Sequence, residues 1–245
     1  GLWHLGGTLC TSWAKLGNNV IGFDHNSNIV DNLQQGIPPI FEPNLSETIK
    51  ESVEKNLLTF SNDIKNLSQC DFIFLSYDTP VNDDDSCDTT ILKNAILEIR
   101  NVMKNDSIII VSSQTPVETC RNLRTKLHEK NSTLDLAYSP ENLRLGESIH
   151  CYFNPERIIL GTSNKTTENK CIKLFEQITN NIISMGLESS EMVKHGINSF
   201  LATSIVFANH MADICEFTQA NIEDVVKGIK SDPRIGNKAY LTPGI

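Results

Sequence analysis

Five short apolar runs punctuate the first three-quarters of the chain: Asn19–Phe23, Asp71–Tyr77, Ser107–Val111, Leu134–Tyr138 and Arg157–Gly161. Several have nearly continuous apolar centres instead of alternating ones, the pattern of strands covered on both faces by helices. Helical spacing fills the intervals, near Thr8–Leu16, Asn28–Gln34, Leu45–Lys55, Thr90–Met103, Glu118–Glu129 and Thr166–Thr179. Strand and helix in repeated alternation predict an α/β fold built on a doubly wound parallel sheet.

After Gly186 the pattern changes. From Ser189 to about Gln219 there is no Pro and no Gly beyond Gly196, and Val193, Ile197, Phe200, Leu201, Ser204, Phe207, Ala208, Met211 and Cys215 fall on one broad helical stripe. About 30 residues at 1.5 Å each make a helix of roughly 45 Å, long enough to join two domains or to pack against a partner subunit. A boundary near residue 186 follows, with 1–186 as the sheet domain and 187–245 as the start of an all-helical one.

With 30 acidic and 21 basic side chains in 245 residues, the net charge of −9 disfavours a general binder of nucleic acid or anionic membrane. Seven cysteines without a CxxC pair read as reduced cytoplasmic thiols, with neither a disulfide frame nor a metal site. No apolar run approaches the roughly 18 residues of a membrane span, and no cationic start precedes an apolar core as in a signal peptide. The chain opens on Gly1 and closes on Tyr240–Ile245, which reads as a loop, so a fragment of a longer protein is expected. Asp83-Asp84-Asp85 is expected to be a solvated loop.

The start carries the first candidate chemistry. Gly1-Leu-Trp-His-Leu-Gly6 stands where a GxGxxG turn enters a helix, with Trp3 at the middle glycine and Leu5 inside the turn. Glycines there let backbone approach a pyrophosphate, and the helix N-terminus offers unpaired N–H groups. The strand that should precede this turn is missing from the sequence. Asp24 ends the run Asn19–Phe23, 18 residues after Gly6, where an acid accepts hydrogen bonds from an adenosine ribose diol. Its charge would repel a 2′-phosphate and His25-Asn-Ser-Asn28 supplies no Arg, which favours NAD over NADP. An equally simple reading makes Asp24 a turn cap before Asn26. Two further strand ends, Asp78-Thr79-Pro80 and Ser112-Ser113-Gln114-Thr115-Pro116, could line a phosphate or nicotinamide channel or form ordinary capped turns.

In this order the pieces resemble the UDP-glucose/GDP-mannose dehydrogenase family, which includes the UDP-N-acetylmannosamine dehydrogenases. Pro39-Ile-Phe-Glu-Pro-Asn-Leu45 is similar to PIYEPGL, and Tyr77-Asp-Thr-Pro80 to a GTP stretch with Asp88 downstream. Ser113-Gln-Thr-Pro-Val-Glu-Thr119 resembles STVPVGT, Ser139-Pro-Glu-Asn-Leu-Arg-Leu-Gly146 resembles NPEFLREG, and Pro155-Glu-Arg-Ile-Ile-Leu-Gly161 resembles PDRIVIG. Glu191-Met-Val-Lys194 with Asn198-Ser-Phe-Leu-Ala202 resembles ELxKYxxNxFLA, and Asp232-Pro-Arg-Ile-Gly236 resembles DxRIG. The resemblance implies a Rossmann-like NAD domain followed by a helical dimerisation domain. It also implies oxidation of the C6 alcohol of a nucleotide-sugar to the carboxylate with two NAD⁺, for polysaccharide precursor synthesis.

By the same resemblance Glu141 is an acid/base in thioester hydrolysis, and Gln114 stands where Thr helps orient a water. Leu143, Arg144 and Gly146 lie on a loop between substrate and cofactor, and Arg234 reaches the neighbouring subunit's substrate in a homodimer formed through the long helix. Glu191, Lys194 and Asn198 share one helix face at i, i+3 and i+7, where a cation and an amide can stabilise a developing oxyanion. A surface Glu–Lys pair is the plain alternative, although Val193, Ile197 and Phe200 suggest buried surroundings.

Three departures stand out: Trp3, Gln114, and Leu145 in place of an acid. The family's nucleophilic Cys, expected beyond the Pro243-Gly244 step, is not present, so the chain is expected to be inactive alone. Cys215 falls within the long helix and the other six precede it; all read as small buried hydrophobes. Two rival functions are a two-electron dehydrogenase of the related 6-phosphogluconate or 3-hydroxyacid group and a non-catalytic nucleotide-sugar binder.

Overall fold

The computed structural model describes every residue except Asp85, Asn142 and Ile245. Asp83 and Asp84 form an exposed turn, while Asp85 of the expected acidic loop and Asn142 of the Pro140–Asn142 turn lie outside the described residues. The chain divides into two compact units, Gly1–Met192 and Val193–Ile245.

In the first unit the elements run α1 (His4–Lys15), β1 (Val20–Phe23), α2 (Ser27–Gln34), α3 (Leu45–Glu54) and β2 (Leu58–Ser61). A 3₁₀ turn (Ile64–Gln69) leads to β3 (Phe72–Leu75), α4 (Thr90–Ile99), β4 (Ile108–Val111), α5 (Thr119–His128) and β5 (Asp135–Tyr138). Then follow α6 (Ser148–Phe153), β6 (Ile158–Gly161), α7 (Lys165–Phe175) and β7 (Ile182–Met185), and the unit ends in the first turns of α8 (Leu187–Thr218).

The strands form two groups. β1 and β2 pair in parallel, Val20 opposite Leu58. The other five lie in the order β3-β4-β5-β6-β7. All neighbours in that sheet are parallel except β5 and β6, which meet through Tyr138 and Gly161 in the antiparallel sense.

β4 explains why the apolar runs are continuous. Ile109 and Val111 join Leu92, Ile96, Leu123 and Leu136 in one core. Ile108 and Ile110 face the other way, into a core with Trp13, Leu160 and Phe175. Successive strand side chains point to opposite faces, so a strand with helices on both sides has no face for a polar residue. All four β4 residues are buried, and each fully buried Ile or Val contributes about 1.5–3 kcal/mol relative to exposure. A third core gathers Leu2, Ala14, Leu33, Leu45, Ile49 and Leu58 around β1 and β2.

Among the described residues no pairing joins β1 to β3, and a cavity of about 680 Å³ is lined by residues of both, including Val20, Ile21, Phe23, Phe72, Ile73 and Leu75. At the carboxyl ends of the two strands the start of the chain ties them together. The Ser76 hydroxyl donates to the Gly1 carbonyl at 2.9 Å, and the Leu2 N–H donates to Asp24 Oδ2 at 2.7 Å.

The second unit holds the rest of α8 and then α9 (Ile222–Ser231), whose N-cap Asn221 accepts from the N–H groups of Glu223 and Asp224. Asn209 Oδ1 accepts from the Gly244 N–H at 2.7 Å. Along the expected stripe of α8, Ala208 and Cys215 are buried but Phe200 is 69% exposed. The expectation of buried surroundings at Phe200 is therefore corrected: the stripe carries more apolar surface than this chain covers.

Candidate functional site

The glycine turn is built by close approach. A Cβ at Gly6 would lie 1.8 Å from the Gly1 carbonyl oxygen, and one at Gly1 would lie 2.6 Å from the Tyr77 ring. At Gly6 the obstacle is backbone and only glycine fits, so the chain can fold back onto the first turn of α1; at Gly1 a side chain would have to displace the Tyr77 ring. Trp3 is the N-cap residue of α1 and gives no side-chain cap. The leading N–H groups of a helix lack intrahelical partners and favour negative charge. Trp3 itself is 49% exposed at this end of the helix.

Asp24 sits against that turn. Its Oδ2 accepts from Leu2 and its Oδ1 from the Asn26 N–H at 2.9 Å. The turn-cap alternative is thus realised, yet a carboxylate offers about four acceptor positions, so two remain for a diol. A turn that excludes a Cβ at Gly6, an open helix N-terminus and an acid hydrogen-bonded to the turn at Leu2 fit an adenine dinucleotide. Nearby, burial, followed by the charges of Asp24 and Glu98, pushes the Tyr77 hydroxyl up to about 12, so it remains protonated.

The loops after β3 and β4 touch. Thr79 Oγ1 donates to the Gln114 carbonyl at 2.5 Å, and the buried Ser113 hydroxyl lies 3.4 Å from the Leu75 carbonyl. Asp78, Pro80 and the Gln114 residue are exposed. Asp88 Oδ1 accepts from the Thr90 N–H at 2.8 Å, at the start of α4.

Glu191 is wholly buried. Its Oε1 accepts from the Cys120 N–H at 2.8 Å and the Thr115 hydroxyl at 3.2 Å, and its Oε2 from the Glu118 N–H at 2.8 Å. It therefore caps α5 and braces the loop that carries Gln114, a role far from that of a surface ion pair. The helix dipole and three donors compensate the cost of burying the charge.

Glu42, 2% exposed, is a second buried carboxylate. It accepts from His4 Nε2 at 2.7 Å, the Gly146 N–H at 2.9 Å and the Ser148 N–H at 3.2 Å. Burial alone would raise its pKa, but the Gly146 N–H, His4 and Ser148 hold it below the usual glutamate value. In the adjoining loop, Glu141 Oε2 accepts from the Leu143 N–H at 2.5 Å, Gly146 has a φ of +84°, and Arg144 is exposed.

The first unit thus brings together Gly1, Leu5, Gly6 and Asp24 around the turn at the start of α1, and Thr79 and Gln114 across two strand ends. Lys194, Asn198 and Arg234 belong to the second unit. There Lys194 is partly buried, Asn198 is exposed, and the exposed Arg234 is paired with Asp232 at 2.7 Å.

The family model described as the UDP-glucose/GDP-mannose dehydrogenase family, NAD binding domain, matches residues 1–179, and that of the family's central domain matches residues 188–245. The chain belongs to the UDP-glucose/GDP-mannose dehydrogenase family. It is 34% identical over 233 residues to a UDP-glucose 6-dehydrogenase of Rickettsia felis, covering 94% of this chain and 52% of that protein. To the UDP-glucose 6-dehydrogenase YwqF of Bacillus subtilis it is 32% identical over 249 residues, covering 100% of this chain and 56% of the relative. A solved UDP-glucose dehydrogenase from Pyrobaculum islandicum superimposes with a TM-score of 0.88 at 26% identity, over 97% of this chain and 57% of that one. The chain spans about half the length of the curated relatives it matches.

Against the STVPVGT form of this dehydrogenase family, Glu118 occupies the glycine position and adopts a φ of +78°. That is a left-handed conformation costly for a residue with a Cβ. Its N–H is one of the three donors to Glu191. Thr115, at the motif's Val position, supplies another.

All seven cysteines are free thiols. Burial pushes Cys10 and Cys171 up to about 12, and burial together with the Glu191 charge holds Cys120 well above its ordinary value. Such thiols are poor nucleophiles. Among the described residues no cluster of three or more His, Cys, Asp or Glu could hold a metal ion, and no helix is long and apolar enough to cross a membrane.

Glu42 lies within the Pro39–Leu45 motif but was not among the expected site residues, and the bracing bonds of Glu191 across to α5 were not among its expected roles. A signal for Glu42 existed in its setting, since a lone carboxylate between Phe41 and Pro43 has few reasons to be there unless the backbone needs an acceptor.

Proposed function

We propose that this chain forms the cofactor-binding half and the beginning of the central domain of an NAD-dependent nucleotide-sugar 6-dehydrogenase, a cytoplasmic enzyme that oxidises the C6 alcohol of a UDP- or GDP-linked sugar to the uronate. The observation that carries this reading is the Leu2–Asp24 hydrogen bond, which joins the glycine turn to the acid at the end of β1. NAD, when bound, supplies a hydride acceptor. The chain's own residues position it. The backbone around Gly1, Leu5 and Gly6 receives the pyrophosphate, Asp24 receives the adenosine ribose, and Asp78, Thr79, Pro80 and Ser113 line the channel toward the nicotinamide.

On the substrate side, Leu143, Arg144 and Gly146 hold the sugar nucleotide. Lys194 and Asn198 hold the C6 oxygen and stabilise negative charge developing there. Glu141 moves a proton and Gln114 orients a water through its amide. Arg234 serves the substrate bound by a second copy of the chain, in a homodimer formed through α8, whose exposed apolar residues support such a partner. The proposed roles of Lys194, Asn198 and Arg234 rest on the family motifs they match.

The test on this chain is NAD⁺ binding followed by calorimetry. Saturable binding that weakens at least about tenfold in Asp24→Ala, a loss of about 1.4 kcal/mol, supports the reading; absence of binding in the unaltered chain overturns it. On the complete protein, two NADH formed per nucleotide-sugar consumed supports the 6-dehydrogenase and excludes a two-electron alcohol dehydrogenase.

A further inference from the structure

Glu42 reaches three separate segments. Its carboxylate takes the imidazole N–H of His4, the first residue of α1, and the backbone N–H groups of Gly146 and Ser148, which stand 104 and 106 positions further along the chain. The contact is reinforced within the same patch, where the Thr8 hydroxyl of α1 lies 3.3 Å from the Ser148 hydroxyl. Ile149 packs on the core that contains Leu2 and Ala14. One side chain therefore joins the helix assigned above to the cofactor with the loop assigned to the substrate.

We propose that Glu42 is a positioning residue that holds the loop 143–148 against the first turn of α1, so that occupancy of the cofactor site is transmitted to the substrate loop. The proposal rests on the reading under Proposed function, and it adds a coupling between the two sites. A charged acceptor suits the task. It bonds to three N–H donors at once without supplying any hydrogen of its own. His4 and the Gly146 N–H share its Oε1, so a displacement of His4 acts on the same oxygen that holds Gly146. Gly146 answers with a φ of +84°, where a backbone free of Cβ can adjust.

The test is amide hydrogen exchange in the segment 143–153, measured without NAD⁺ and at an NAD⁺ concentration that saturates each variant by its own titration. In the unaltered chain NAD⁺ should slow exchange of the Gly146 and Ser148 amides by at least about fivefold, the lower end of coupling between sites. His4→Ala cuts Glu42's own tie to α1, leaves the Thr8–Ser148 contact in place, and leaves both backbone bonds to Glu42. It should keep the unliganded exchange rates and lose the NAD⁺-dependent slowing. Glu42→Gln should lose the slowing as well, because its amide group opposes the donors. A purely structural role would raise exchange equally with and without NAD⁺. Slowing that persists in His4→Ala, or is absent from an unaltered chain that binds NAD⁺, overturns the proposal. Failure of the unaltered chain to bind NAD⁺ overturns the underlying assignment instead.

Discussion

The buried carboxylate of Glu191, in α8, accepts a hydrogen bond from the backbone N–H of Cys120, in the first turn of α5, at 2.8 Å. The same carboxylate takes the Glu118 N–H and the Thr115 hydroxyl, so the loop bearing Gln114 and the root of the long helix are fixed by one group. Glu191→Ala would leave buried donors without acceptors. Losing a charged acceptor under such conditions costs about 3 kcal/mol, at the upper end for a hydrogen bond to a charged group. That corresponds to a fall in melting temperature of about 6–12 °C. Glu191→Gln should fall nearly as far, since its NH₂ faces N–H groups. Thermal denaturation followed by circular dichroism reads both. A shift under 2 °C for either would remove the bracing role.

Glu118 is the strained partner in that arrangement, with its φ of +78°. Replacing it with Gly removes a left-handed conformation that costs about 1–2 kcal/mol and adds unfolded-state entropy worth about 0.4–1 kcal/mol. Glu118→Gly should therefore gain roughly 0.8 kcal/mol, the difference of those two effects. Glu118→Ala should not gain, because the Cβ stays. The exposed pair with Arg121 at 3.5 Å weighs little in either variant. Chemical denaturation of both proteins separates backbone strain from loss of the ion pair.

Asp24 should set cofactor choice. With its carboxylate, NAD⁺ is expected to bind at least about a hundredfold tighter than NADP⁺, a difference of about 2.7 kcal/mol, because a 2′-phosphate would meet a negative charge. Asp24→Asn should narrow that ratio mainly by weakening NAD⁺. It keeps one acceptor for Leu2 or Asn26, so the melting temperature should change less than affinity does. Paired titrations with the two cofactors measure the ratio directly. An unchanged ratio would show that the ribose end lies elsewhere.

The sheet was legible wherever burial on both faces leaves no room for polar residues. Ile108-Ile-Ile-Val111 could hardly be anything but a strand, and the boundaries predicted there differ from the observed ones by one residue. β2 was not legible, since Leu58-Thr-Phe-Ser61 alternates over only two apolar positions. β7 escaped for a related reason: Ile182-Ile-Ser-Met185 lies at an edge and is only partly buried. α4 ends at Ile99, earlier than the apolar Val102 and Met103 suggested; those residues lie beyond the helix, where Met103 still enters the core. The glycine turn and Asp24 were readable because their partners are close in sequence. The partners of Glu191 lie 71 to 76 residues upstream and those of Glu42 lie more than a hundred downstream on one side. No local pattern announces a bond of that span.

Acid stability offers a prediction at the opposite end of β5. Burial alone would push the Asp135 carboxyl up, but the Thr167 hydroxyl, the Arg124 guanidinium at 2.5 Å and the Leu136 N–H hold it below its ordinary value. A carboxyl whose folded pKa lies below the unfolded one, about 3.9 for Asp, stabilises the fold in full above the unfolded value. The contribution is lost as pH falls from there through the folded value, because the unfolded chain then binds the proton more readily. Glu42 acts in the same direction. Stability measured by urea unfolding should therefore decline between pH 5 and 3, and Asp135→Asn should decline less steeply over that interval while starting from a lower value at pH 7. Equal slopes in the two proteins would mean that other carboxylates carry the acid sensitivity and that the Arg124–Asp135–Thr167 cluster contributes through packing alone.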